Sequence, residues 1–236
     1  MIMEPVITRR AEKIMRDSFG IPPSQVDEMI HKRVLDFARH KGHFVPEMRV
    51  RVHYDSEPLP KGSDDIIASF HVRTNDMSVN VGYLAKYAGA NGNIPREHLI
   101  PFIVSHEAEH AFFSMTPLGL ERRALSMKSD GMLFILKSFF TGSHEAVIER
   151  MELAGALSDG RATLFSSRFL SENVPGLGLS DAVPMKKPEY YLYASFILRL
   201  EELAGKDRAW ELTASRLPSS LKQFAHPEAY LRQAGA

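Results

Sequence analysis

The sequence predicts an α+β fold in which a small sheet comes first and helices follow. Three observations carry this. Strand-like alternation is confined to the first half of the chain, helical periodicity dominates the second, and the composition can bury a sizeable core. The 236 residues suit a single domain, with a helix, strands and a further helix over about 1–115 and a helical part over about 116–236.

The elements follow in order. PPSQVDEMIHKRVLDFARHKG, residues 22–42, begins on a Pro-Pro-Ser start signal and ends on Gly42, with Val26, Ile30, Val34 and Phe37 at helical spacing. MRVRVHYD, 48–55, alternates Val50, Val52 and Tyr54 against Arg49, Arg51 and His53, the pattern of a half-buried strand. EPLPKGSDD, 57–65, is a loop. Residues 66–84 read as a hairpin: Ala68, Phe70 and Val72 alternate, Thr74-Asn75-Asp76 turns, and Val79 and Val81 alternate again. AGANGNIP, 88–95, breaks the pattern, and Pro95 opens a helix over about 95–115. Helices follow at about 119–140, 143–170, 189–204 and 206–216. The Pro- and Gly-rich segment 171–188 is read as a linker or a flap.

Bulk composition narrows the function. Lys plus Arg equals Asp plus Glu at 29 each, so no broad basic surface for nucleic acid is expected. There is no G-x-x-x-x-G-K phosphate loop and no G-x-G-x-x-G. The chain holds no cysteine, so any metal must be held by His, Asp or Glu. The longest apolar runs, 99–105 and 132–140, fall far short of the roughly 20 residues of a membrane span. MIMEPVITRRAEKIMRDSFG lacks the continuous apolar core of a signal peptide. The expectation is a soluble, cytoplasmic protein without a membrane span.

The chemistry concentrates in SHEAEHAF, residues 105–112. Residues four apart lie on one helix face, about 6 Å along the axis. His106 and His110 can therefore converge on one zinc ion. Glu107 then lies beside the metal, where it can take a proton from a zinc-activated water and pass it to a leaving amine. The plain alternative is a pair of solvated or core histidines. The surrounding Phe102, Ile103, Val104, Ala108, Ala111, Phe112 and Phe113 argue against it, because a mostly buried helix must give imidazoles and carboxylates partners.

With its H-E-x-x-H helix placed after a strand region, the chain resembles the zincin metallopeptidases over about 45–165. The resemblance implies a zincin-like fold, a zinc cofactor, a peptide or protein substrate, and a substrate strand alongside Met77–Leu84. The metzincin branch would need Gly and His where Phe113 and Thr116 stand, so the likeness is to the gluzincin branch, whose third ligand comes from a later helix. The helix over 143–170 offers Glu145, Glu149, Glu152 and Asp159 on one face. Glu152, in ELAG, resembles a gluzincin ligand followed by small residues. Asp159, in SDGRATLF, resembles the E-G-x-A element of some H-E-x-x-H proteins. The ending LPSSLKQFAHPEAYL, with Gln223 and His226-Pro227, resembles the Ser/Thr-x-x-Gln, His-Pro-x-x-Tyr ending of that same group. Asp159 and Glu152 stand level as third-ligand candidates, ahead of Glu149. Each is also readable as part of a solvated acidic face.

Other residues carry a functional and a plainer reading. His144 is a minor ligand candidate beside the helix-capping Ser143, and His226 is an oxyanion donor or a His-Pro turn. Tyr190, Tyr191 and Tyr193 offer an oxyanion donor or core packing, and Arg161 a cleft partner or a solvated charge. The resulting expectation is a zinc metallopeptidase with Glu107 as general base and acid. The alternatives are a binding protein that keeps the scaffold without catalysis, and a zinc hydrolase of non-peptide amides.

Overall fold

In the computed structural model, residues 2–22, 24–26, 28, 49–56, 68–71, 74–87, 94–129, 143–179 and 189–235 are described. The chain divides into two compact units, one of residues 1–111 and 165–182, the other of 112–164 and 183–236.

The first unit holds a four-stranded sheet in the order β1-β2-β4-β3, built from β1 (Ile2–Ile7), β2 (Arg49–Asp55), β3 (Ala68–His71) and β4 (Asp76–Asn80). The alternation in β2 buries Val50, Val52 and Tyr54, and these align with Met77 and Val79 of β4 to give one apolar face. β1 runs parallel to β2 from Ile2 opposite Arg49 to Ile7 opposite Tyr54. β2 runs parallel to β4, and β3 pairs antiparallel with β4 from Ala68 opposite Val79 to His71 opposite Asp76. The expected hairpin therefore forms, with Asn75 in the turn at φ 56.

The sheet also contains a strand that the alternation did not reveal. IMEPVI carries Pro5, which cannot donate to a ladder and so reads as a strand breaker. β1 sits at the end of the sheet, where one side of the strand needs no partner. It leads into helix α1 (Arg9–Phe19), which begins the crossover that a parallel pair requires. Thr8 accepts from Ala11 N at 3.2 Å to cap the start of α1. Gly20 closes it in the left-handed region at φ 66, and Ala11, Met15 and Phe19, four apart, form its buried stripe.

The segment expected to continue as strand to Leu84 instead turns into helix α2 (Val81–Tyr87). Asn80 Oδ1 accepts from Tyr83 N at 2.8 Å, which satisfies a free donor of the first turn. Gly82 lets that turn approach the carbonyl of Ser56, since a Cβ there would lie 2.6 Å from the oxygen. Helix α3 (Arg96–Phe113) follows.

In the second unit, Thr116 Oγ1 accepts from Gly119 N at 3.1 Å and caps helix α4 (Pro117–Ser129). The long helix α5 (Ser143–Asn173) matches the expected 143–170 segment, and its 165–173 portion belongs to the first unit. Helices α6 (Glu189–Ala204) and α7 (Lys206–Ser215) fall where helical spacing placed them. A 3-10 turn (Leu221–Ala225) and helix α8 (Pro227–Ala234) close the chain. The helix expected over 22–42 lies outside the described residues beyond its first turn, as do the 57–65 loop, most of the 88–95 break, residues 130–140 of the second helical stretch and residues 180–188 of the linker-or-flap segment. Among the described residues the architecture is α+β and mostly helical, and no helix is long and apolar enough to cross a membrane.

Candidate metal centre

Helix α3 is apolar on nearly every side. Ile100, Val104, Ala108 and Ala111 have no solvent exposure, and Leu99 and Phe113 are buried. Between Leu99 and Ser114 only Phe102, Ile103, His106 and His110 reach solvent in part. Phe102, His106 and His110 stand at i, i+4 and i+8, a single line down the helix. Both imidazoles thus share the one strip of this segment that a ligand can reach.

The two rings lie 4.9 Å apart between centroids and are inclined at 79°. The ligand-capable atoms of His106, Glu107 and His110 all lie within 4.8 Å of one another. A tetrahedral cation with bonds of about 2.0–2.1 Å brings neighbouring donors to about 3.3 Å. Two imidazole nitrogens already this close, with a carboxylate beside them and no sulfur ligand in the sequence, fit a cation that accepts nitrogen and oxygen donors. Glu107 is only 7% exposed, so its carboxylate sits where charge is costly unless it is compensated. Glu109, which the sequence reading passed over, is fully buried on the same helix. Its signal was an acidic residue inside an apolar stretch.

The remaining candidates fall elsewhere. Asp159 and Glu152 lie on α5 in the second unit, where both stand near the Tyr193 phenol of α6. Burial pushes that phenol above its ordinary pKa, and the negative charges of Glu189, Asp159 and Glu152 add to the effect. Asp159 is half-buried, whereas Glu152, Glu149 and Glu145 are exposed. Asp159 is also the only position between Leu153 and Ser167 that is not fully buried.

Arg161 is not a solvated charge. It is 4% exposed, stacks 4.3 Å over Trp210 and 5.6 Å over Phe113, and donates to Trp210 O at 3.2 Å. His226 is exposed at the start of α8 without a side-chain capping bond, in keeping with the His-Pro turn. Tyr190 and Tyr193 are half-buried and Tyr191 is 49% exposed. The His144 side chain lies outside the described residues. Thr116, where a metzincin would carry its third histidine, caps α4.

Met77–Leu84 does not provide a substrate strand. β4 ends at Asn80, and it is paired on both sides, by β2 and by β3. Its backbone donors and acceptors are already engaged. Comparison of the chain with protein families, with curated proteins and with solved structures finds no match.

Proposed function

We propose that the protein is a metal-dependent peptidase in which His106 and His110 bind the cation, zinc in the first instance, and Glu107 serves as general base and then general acid. One observation carries the reading: both histidines occupy the solvent-reaching line of an otherwise buried helix segment, with the Glu107 carboxylate beside them. Burial of apolar surface around this line holds the imidazoles in place. Glu107, largely withdrawn from water, is suited to hold a proton taken from a water molecule and return it to a leaving amine. A cation bound there supplies Lewis acidity, polarising the substrate carbonyl and acidifying water.

The gluzincin resemblance nominates Asp159 or Glu152 as third ligand. Partial burial favours Asp159, because an exposed helix carboxylate such as Glu152 is already well served by water. An extended peptide that adds to the sheet would use an end strand, β1 or β3. Pro5 removes one donor from β1, which favours β3.

A second reading rests on the composition of the metal-capable group. It contains two histidines and the glutamate assigned to proton transfer, all within one helical turn. A cation held by two ligands is weak, and the chain would then act as a binding protein on this scaffold. The deciding measurement is metal content after purification without a chelator or a histidine tag, followed by peptide cleavage. About one cation per chain, lost in His106→Ala, together with cleavage supports the peptidase. Bound cation without cleavage of any peptide in a library favours the binding protein. No cation, even after zinc is restored, overturns both metal readings.

A further inference from the structure

The strip of helix α3 that carries the two histidines does not end at Phe102. One more step of four reaches His98, which is half-buried. Eight residues place His98 about 12 Å along the axis from His106 and about 80° round the helix, at the margin of the strip. His98, Phe102, His106 and His110 thus form a slowly winding row, and all four belong to the first unit. So does Phe169, only 2% exposed, whose ring meets the His98 ring edge-on with centroids 6.5 Å apart and planes inclined at 61°. Phe169 therefore holds one side of this imidazole in place.

The proposed chemistry gives His98 no task, yet the fold does not fully serve its ring. Among the described residues, Nδ1 is buried and has no hydrogen-bond partner, while the main-chain N–H of His98 is spent on Pro95 O at 2.9 Å. A proton on Nδ1 would be a donor stranded away from water, which is costly. The favoured tautomer therefore carries its proton on Nε2. Since Nδ1 is closed to solvent, Nε2 is the ring nitrogen left for a ligand, and it offers a donor.

We propose that His98 is a substrate-binding residue whose Nε2–H donates to a main-chain carbonyl of an extended peptide, about three to four residues from the bond cleaved. This rests on the peptidase reading. The spacing sets the distance, because about 12 Å of helix axis is spanned by three to four extended residues at about 3.3 Å each. Phe102, partly exposed between His98 and His106, is an apolar floor under the intervening side chains. A single donor to the main chain selects by reach rather than by side chain. The substrate class is therefore an oligopeptide or protein chain that extends at least this far on one side of the cleaved bond, and dipeptides fall short.

The test takes a peptide, blocked at both ends, that the full chain cleaves. It is shortened one residue at a time from each end, and wild type is compared with His98→Phe, which keeps an aromatic ring against Phe169. In wild type, KM should rise about three- to tenfold, with kcat unchanged, when the residue about three to four from the cleaved bond is lost on one side. His98→Phe should show no such step, match wild type on the shortest peptides, and keep its zinc content and urea unfolding midpoint. A step of equal size in His98→Phe, or none in wild type, overturns the role of His98, while cleavage itself leaves the peptidase reading standing. A loss spread evenly over all lengths, a lowered midpoint, or a variant that no longer folds makes His98 structural and also overturns the proposal. Failure of wild type to cleave any peptide of a library overturns the peptidase reading, and this inference with it.

Discussion

Replacing Gly160 by Ala on α5 is expected to destabilise the protein, although the same change in most helices stabilises. An ideal Cβ at Gly160 would meet the Tyr193 carbonyl carbon and oxygen at 2.7 Å, against the 3.4 Å where ordinary contact begins. The obstacle is main chain, which cannot rotate aside, so α5 and α6 must part locally by about 0.7 Å, the difference between the two distances. Overpacking of this kind costs about 1–3 kcal/mol. The helix preference for Ala over Gly returns about 1 kcal/mol, leaving a net loss of up to about 2 kcal/mol. Gly155, on the same helix, is the internal control: a Cβ there meets only the end of the Arg122 side chain at 3.4 Å, which can swing away. Gly155→Ala should therefore be neutral or gain up to about 1 kcal/mol. Urea unfolding of the metal-free variants checks both. Gly160→Ala as stable as Gly155→Ala would refute the reasoning, because the close approach would then carry no energetic weight.

Two further expectations follow from the geometry. Glu107→Gln preserves shape at a site only 7% exposed but removes the proton acceptor, so peptide cleavage should fall roughly a hundred- to ten-thousand-fold while zinc content stays at the wild-type level; wild-type turnover in this variant would rule out the assigned role. Burial raises the Tyr230 phenol above its ordinary value of 10.0, so the unfolded chain releases this proton first; the associated stability is fully present below pH 10 and is lost as pH rises further. Tyr230→Phe should remove that alkaline dependence and cost about 1 kcal/mol at neutral pH through the lost bond to Arg216 O, read from unfolding midpoints at several pH values.

Much of the fold was legible because the residues that decide it act locally. Alternation in 49–55 and the Thr-Asn-Asp turn fixed a strand and a hairpin, and four-residue spacing fixed α3 and α5. What escaped depends on neighbours that sequence spacing does not show. β1 reads poorly because Pro5 argues against a strand, yet an end strand tolerates a missing donor. α1 was legible and overlooked: Thr8, the Ala11-Met15-Phe19 stripe and Gly20 are ordinary start, face and stop signals. The strand boundary at Asn80 was lost because Val81 extends the alternation, while the side-chain bond to Tyr83 that starts a helix leaves no trace in periodicity. Pairing of β4 on both sides was likewise invisible, since strand order is a long-range property.

The site shows the same division in sharper form. H-E-x-x-H specifies which residues can meet, because one turn of helix brings them together, and His106, Glu107 and His110 do meet. It does not specify which side of the helix remains open. On α3 that depends on burial of every position from 99 to 114 except Phe102, Ile103 and the two histidines. On α5 the same physics isolates Asp159 in a stretch otherwise buried from 153 to 167. A charged or ligating side chain at the one half-open position of a buried helix must be compensated or used, since exposure sufficient to hydrate it fully is lacking. Spacing therefore nominated four carboxylates without ranking them, and burial ranks them: Asp159 before Glu152, Glu149 and Glu145. Zinc affinity of Asp159→Asn against Glu152→Gln turns that ranking into a measurement, and equal loss in both would show that burial is not what selects the ligand.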